Sequence, residues 1–152
     1  PSPIATPATN SFSDTGLAST TAYTYTVAAY DNATNNSGMS NTAGATTLSP
    51  VVASVNVATW QWKLRGSNST IDPPRVCSGS GGSGTGYTYQ WLWVSGDTQT
   101  SANNWTSNTT DWSRSVPNVT ATYTSVWRCM VTDSLGNTGQ TTVTVKFVRT
   151  IL

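Results

Sequence analysis

Tyr87-Thr88-Tyr89-Gln90-Trp91-Leu92-Trp93 is the stretch on which the fold turns. Its large aromatics, Tyr87, Tyr89, Trp91 and Trp93, fall on alternate positions. That period of two belongs to an extended strand with one buried face. A glycine-serine run, Ser78 to Gly86, precedes it, and the turn Ser95-Gly96-Asp97 follows it. The run is expected to be a flexible loop; with no Lys and no helix after it, it is not a phosphate cradle.

The same period recurs outward in both directions. Thr122 to Thr132 places Tyr123, Ser125, Trp127, Cys129 and Val131 on one face, and Thr141 to Val148 points Val143, Val145 and Phe147 inward. The turn Asp133-Ser-Leu-Gly-Asn137 lies between them. Asp111 to Val116 reads as a short strand, and the polar segment Thr98 to Thr110 before it holds Trp105 alone. Upstream, Asp72-Pro-Pro-Arg-Val-Cys77 enters a strand. In Val51 to Leu64 the apolar register changes between Ala53, Val55, Val57 and Trp60, Trp62, the pattern of a bulge or of a strand that switches sheets. Leu48-Ser-Pro50 is a boundary. Before it, Thr21 to Tyr30 alternates Tyr23, Tyr25, Val27 and Ala29 against Thr24, Thr26 and Ala28, and Met39 to Thr47 returns as a further strand. Residues 1–11, with three prolines, read as a linker or extended arm. No segment has a 3.6-residue apolar period. Turns every eight to twelve residues point to an all-β sandwich.

Composition agrees and narrows the function. Of 152 residues only 9% are charged, and Ser, Thr, Asn and Gly supply the polarity that suits strand surfaces and turns. The net charge of +1 provides no electrostatic footprint for nucleic acid. No apolar run is long enough to span a bilayer as a helix. His and Glu are absent, so Ser-His-Asp and Cys-His machinery and His-ligated metals are ruled out. Two Asp can form a glycosidase pair, yet Asp14, Asp31, Asp72, Asp97, Asp111 and Asp133 lie mostly in turns, where Asp bonds its own backbone. Asp31 with Asn35, and Asp133 with Asn137, match no calcium loop. No catalytic residue, metal or cofactor is expected.

Two segments resemble known families. Residues 12–47, with "DTGL" and "TTAYTYTVAAYDNATNNSGMSNTAGATT", are similar to the C-terminal half of a fibronectin type III domain of the bacterial and phage kind. The resemblance implies a corner at Leu17 and Tyr23 and leaves the first four strands without a counterpart. Three strands leave an apolar face uncovered, so another chain or domain is expected to cover it, unless the missing strands precede Pro1 in a longer protein. Residues 76–148 resemble an Ig-like module of bacteriophage tail and virion proteins, through Gly81-Gly82, Tyr87, Tyr89, Trp91, Ser95 to Thr98, and Cys129 to Thr138. Trp127 stands where that pattern has Tyr.

Cys77 and Cys129 are the only cysteines. The spacing from Cys77 to Trp91 lets two cysteines and a tryptophan meet in an immunoglobulin-type core. A disulfide is one reading; two buried free thiols, selected by a reducing compartment, are the other. Tyr89, Trp91, Trp93 and Trp127 are expected in the core. Trp60, Trp62, Trp105 and Trp112 are the candidates for a surface that packs, binds protein or stacks on sugar rings.

The sequence thus predicts a linker (1–11), a partial fibronectin type III-like unit (12–48) and an Ig-like β-sandwich (51–149). The resemblances imply a non-catalytic structural part of a bacteriophage particle, in its tail or on its surface. It would assemble with other virion proteins or with itself, without nucleic acid or membrane insertion. The alternative is a glycan- or receptor-binding adhesion module for host attachment, on a phage tip or on an extracellular or cell-surface bacterial protein.

Overall fold

The computed structural model describes residues 2–57, 59–64, 69–71 and 74–150, the segments 59–64 and 69–71 by their backbone. These residues form an all-β protein of twelve strands, among them no helix. The strands are β1 (Ala22–Tyr25), β2 (Ala43–Thr46), β3 (Val52–Val55), β4 (Thr59–Leu64), β5 (Ser69–Ile71), β6 (Arg75–Ser80), β7 (Thr88–Gly96), β8 (Ser101–Ala102), β9 (Thr109–Thr110), β10 (Trp112–Ser115), β11 (Ala121–Thr132) and β12 (Thr138–Arg149). The chain divides into two compact units, Pro1–Ser49 and Pro50–Leu152.

The second unit is a β-sandwich. One layer is the sheet β4-β12-β11-β7, in which β11 pairs antiparallel with both β12 and β7, and β4 runs parallel to β12. The sheets β3-β6-β9 and β5-β10-β8 supply the other layer. The register change in Val51 to Leu64 is a switch of layers: β3 pairs with β6, and β4 with β12. Alternation fills the space between the layers. Trp127, Cys129 and Val131 from β11 and Val143, Val145 and Phe147 from β12 are buried against Val51, Ala53 and Cys77. Cys77 on β6 and Cys129 on β11 form a disulfide that ties the layers together, with Cα atoms 6.6 Å apart. Trp91 lies directly across the ladder from Cys129 and is fully buried.

The first unit is a two-stranded antiparallel sheet, β1-β2, with its flanking loops. Its tyrosines serve as braces. The Tyr23 hydroxyl accepts the Ala18 N–H at 3.0 Å, and the Tyr25 hydroxyl donates to Asp14 at 2.8 Å. That second bond keeps the phenol proton in place and raises the Tyr25 pKa above its ordinary value. Among the described residues of this unit none is buried. Val27, Tyr30, Met39 and Phe12 stand exposed.

Candidate functional site

Alternation alone places Trp91 and Trp93 on one face of β7, yet the structure separates them. Trp91 is the hub of an aromatic cluster. Trp112 meets it edge-on at 5.3 Å, and Trp127 leans on Trp112 at 6.2 Å. Trp93, expected in the core, is 45% exposed. The reason is a β-bulge. Trp93 pairs with Trp127 while Ser95 pairs with Val126, so Val94 is an extra residue that bends the end of β7 away from the opposite layer. The Trp93 indole N–H donates to the Asp97 carbonyl at 3.3 Å. Tyr89 is partly buried at the rim of the core.

Trp112, expected at the surface, is fully buried. It begins the inward register Trp112, Arg114, Val116, all three buried. Burial of Arg114 is possible because Asp97 accepts from its Nε at 2.7 Å and from its Nη2 at 3.0 Å, and because its guanidinium lies 3.4 Å above the Tyr123 ring. Arg114 in turn holds the Asp97 carboxyl below the usual carboxylate range, assisted by the Thr100 hydroxyl at 2.7 Å and opposed by burial. The Asp97–Arg114 pair thus anchors the segment after β7, in which the sequence showed only a turn.

Trp105 is 55% exposed; the side chains of Trp60 and Trp62 lie outside the described residues. Trp105 belongs to a strap that crosses the free edge of β7. Its carbonyl accepts the Trp91 amide N–H at 2.8 Å, the Ser107 carbonyl accepts the Trp91 indole N–H at 3.0 Å, and the Asn108 carbonyl accepts the Cys77 N–H at 2.7 Å. Its ring meets Trp127 edge-on at 6.4 Å. The strap satisfies edge groups that would otherwise template pairing with another chain. Beside it is an open cleft of about 360 Å³ lined by Thr88, Tyr89, Gln90, Thr106, Met130 and Thr132, a lining without charge.

The glycine-serine run is held rather than free. Gly82 has φ +57, and a Cβ there would lie 2.3 Å from Asp133 Oδ2. That approach lets the Ser83 N–H donate to Asp133 Oδ2 at 2.8 Å. Burial pushes the Asp133 carboxyl up, but the N–H donors of Ser83, Asn137 and Leu135 outweigh it and hold the pKa at about 2. The signal was in the sequence, as a pair of glycines facing a turn aspartate, but the pairing is long-range.

The other aspartates also have separate partners. Asp14 accepts from Tyr25, Asp31 caps its own turn, and Asp111 accepts from Asn103; Asp72 lies outside the described residues. No cluster of three or more metal-ligating side chains occurs among the described residues. No family model and no curated protein matches this chain.

Proposed function

We propose that this chain is a non-catalytic structural component of a bacteriophage particle, in the tail or on the surface, and that it acts by assembling with other proteins of the particle or with further copies of itself. The observation that carries the assembly reading is the bare apolar face of the first unit, where Val27, just past β1, is 69% exposed in a segment whose sequence alternates like a core strand. The particle reading rests on the resemblance of residues 76–148 to Ig-like virion modules and of 12–47 to half a fibronectin type III domain. The five described aspartates, each bonded to a different group, favour a role without catalysis. Density-gradient centrifugation of phage particles from the natural source tests the proposal: the chain is expected to travel with the particle at constant stoichiometry. A chain that stays with free protein at the top of the gradient would overturn it.

A second reading, a glycan-binding adhesion module, is favoured by exposed Trp105 beside the uncharged, hydroxyl- and amide-lined cleft at Thr88 and Gln90. Sugar rings stack on such an indole, and hydroxyls suit such a lining. Binding on a glycan array that disappears with Trp105→Ala would favour this reading, and an array without signal would remove it.

A further inference from the structure

The free edge of β7 carries more of a surface than Trp105 and the cleft beside it. Three features follow one another along this edge. At its start Thr88 and Gln90 line the open cleft, together with Thr106 of the strap. Trp105 comes next, its carbonyl bonded to the Trp91 N–H and its ring exposed. Trp93 lies two residues further along β7 and is also exposed. Both exposed indoles adjoin the same buried ring: Trp93 is the ladder partner of Trp127, and Trp105 meets Trp127 edge-on. From Thr88 to Trp93 the pairing with β11 is regular, and the bulge comes only after it. At about 3.3 Å per strand residue, the edge from Tyr89 to Trp93 runs about 13 Å, the length of about three linked sugar rings.

Packing within the second unit does not use the Trp93 ring. The bulge at Val94 interrupts the ladder and turns an indole away from the core, and bulges at sheet edges re-aim side chains in this way. The re-aimed ring is held in place. Its N–H donates to the Asp97 carbonyl, and the Asp97–Arg114 pair anchors the segment that carries this carbonyl. A ring fixed beforehand loses little freedom when a ligand stacks on it.

The polar groups along the edge define what it would take. Thr88, Gln90, Asn104 and Thr106 are exposed and present hydroxyls and amides, which both donate to and accept from sugar hydroxyls. Indole faces suit the C–H faces of sugar rings. Charged neighbours are engaged elsewhere. Both Asp97 oxygens accept from Arg114, and Arg128, the ladder partner of Leu92, donates to Gln140 on β12. A regular strand edge matches an extended chain, whereas a coiled chain would leave it after one ring. Building on the glycan reading, we infer that the β7 edge is a binding track for an extended, uncharged oligosaccharide. Trp93 holds the sugar ring at one end, Trp105 the ring in the middle, and the cleft at Thr88 and Gln90 the ring at the other end.

Amide chemical-shift titration of the isotope-labelled protein tests the track. The probes are cello-oligosaccharides and N-acetylglucosamine oligomers of increasing length, with coiling malto-oligosaccharides as the comparison. Affinity for one of the extended series is expected to rise up to about three units and then level off, while the malto series shows no gain with length. Trp93→Ala is expected to weaken binding of the three-unit chain roughly tenfold and to leave the single sugar unchanged, and Trp93→Tyr, which keeps a ring, to restore most of the loss. Affinity that does not change with length, or a Trp93→Ala variant that binds every chain as the parent does, would overturn the track and leave Trp105 as a single-ring glycan site. Binding to none of these chains, with a signal elsewhere on the glycan array, would overturn it in the same way. An array without signal would remove the glycan reading and the track together.

Discussion

The hairpins at Asp31 and Asp133 are built on the same bonds and end in different states. In each, the aspartate N–H donates to the carbonyl of the asparagine four residues on, at 3.1 Å for Asp31 and 3.0 Å for Asp133. In each, Oδ1 accepts the N–H groups two and four residues on. In each, the fourth residue is left-handed: Thr34 at φ 66 and Gly136 at φ 84. The turn chemistry is therefore local and needs no core. The difference lies in what arrives from far along the chain. Asp133 receives the Ser83 N–H, Ser134 donates to the Thr85 carbonyl at 3.3 Å, and the strand before the turn is covered and cross-linked. Asp31 accepts the side chain of Asn35 and no described group from another strand, and its strand is bare. A turn specifies a hairpin; a second sheet makes a core.

Removing the cross-link should separate the units most. Replacing Cys77 and Cys129 together by Ser frees a loop whose ends are 52 residues apart, and is expected to cost about 4 kcal/mol in urea unfolding followed by tryptophan emission. Val27→Ala at the corresponding position of the first unit should change the stability of the monomer by no more than about 0.5 kcal/mol. Equal effects would show that the strand holding Val27 is covered as the strand holding Cys129 is. Next in size is Asp97→Ala, which leaves the Arg114 guanidinium buried without its bidentate partner, for an expected loss of about 3 kcal/mol in the same assay. Gly82→Ala combines a left-handed backbone with a Cβ against Asp133, and should cost about 2 kcal/mol, while Gly38→Ala, with open space around it, should be silent.

Acid should act on the second unit through Asp133. Its folded-state pKa, about 2, lies below that of an unfolded aspartate, so its contribution is complete above roughly pH 4 and is lost as pH falls toward 2. A thermal midpoint that declines through this window, and declines less in Asp133→Asn, is the expected result; identical profiles would remove Asp133 as the cause. A smaller effect, of opposite sign, is expected at Thr34, a β-branched residue in a left-handed position. Thr34→Gly should stabilise the turn by about 1 kcal/mol, read as slower amide exchange at Asn35.

Strand alternation made much of this legible in advance. The inward residues of β11 and β12 follow the period of two without exception, because both strands lie inside their sheet and face one continuous layer. The change of register after Val57 correctly marked a chain that leaves one layer for the other. The misreadings fell where a side chain depends on a distant group. Trp93 keeps the inward period, but a bulge defined by the pairing of β7 with β11 turns it out. Trp112 shares its face with Arg114, which turns inward because the carboxylate of Asp97 and the ring of Tyr123 receive it there. The exposed site at Trp105 shows no period at all; its carbonyl is placed by the edge of β7.

The sequence by itself determined what is local: the all-β character, the alternating faces, the two matching aspartate turns, and the lack of the side chains that His- or Glu-dependent chemistry needs. These follow from the residue-to-residue geometry of a strand and from the hydrogen bonds of a five-residue turn. The tertiary structure alone decided which alternating faces were buried. Burial requires a second layer, and the second layer comes from residues tens of positions away, as with Cys77 over Cys129 and Ser83 over Asp133. Tyr23-Thr24-Tyr25 and Tyr87-Thr88-Tyr89 are the same in sequence. One lies on a bare sheet and the other enters a filled core, because only the second has an opposite sheet to meet.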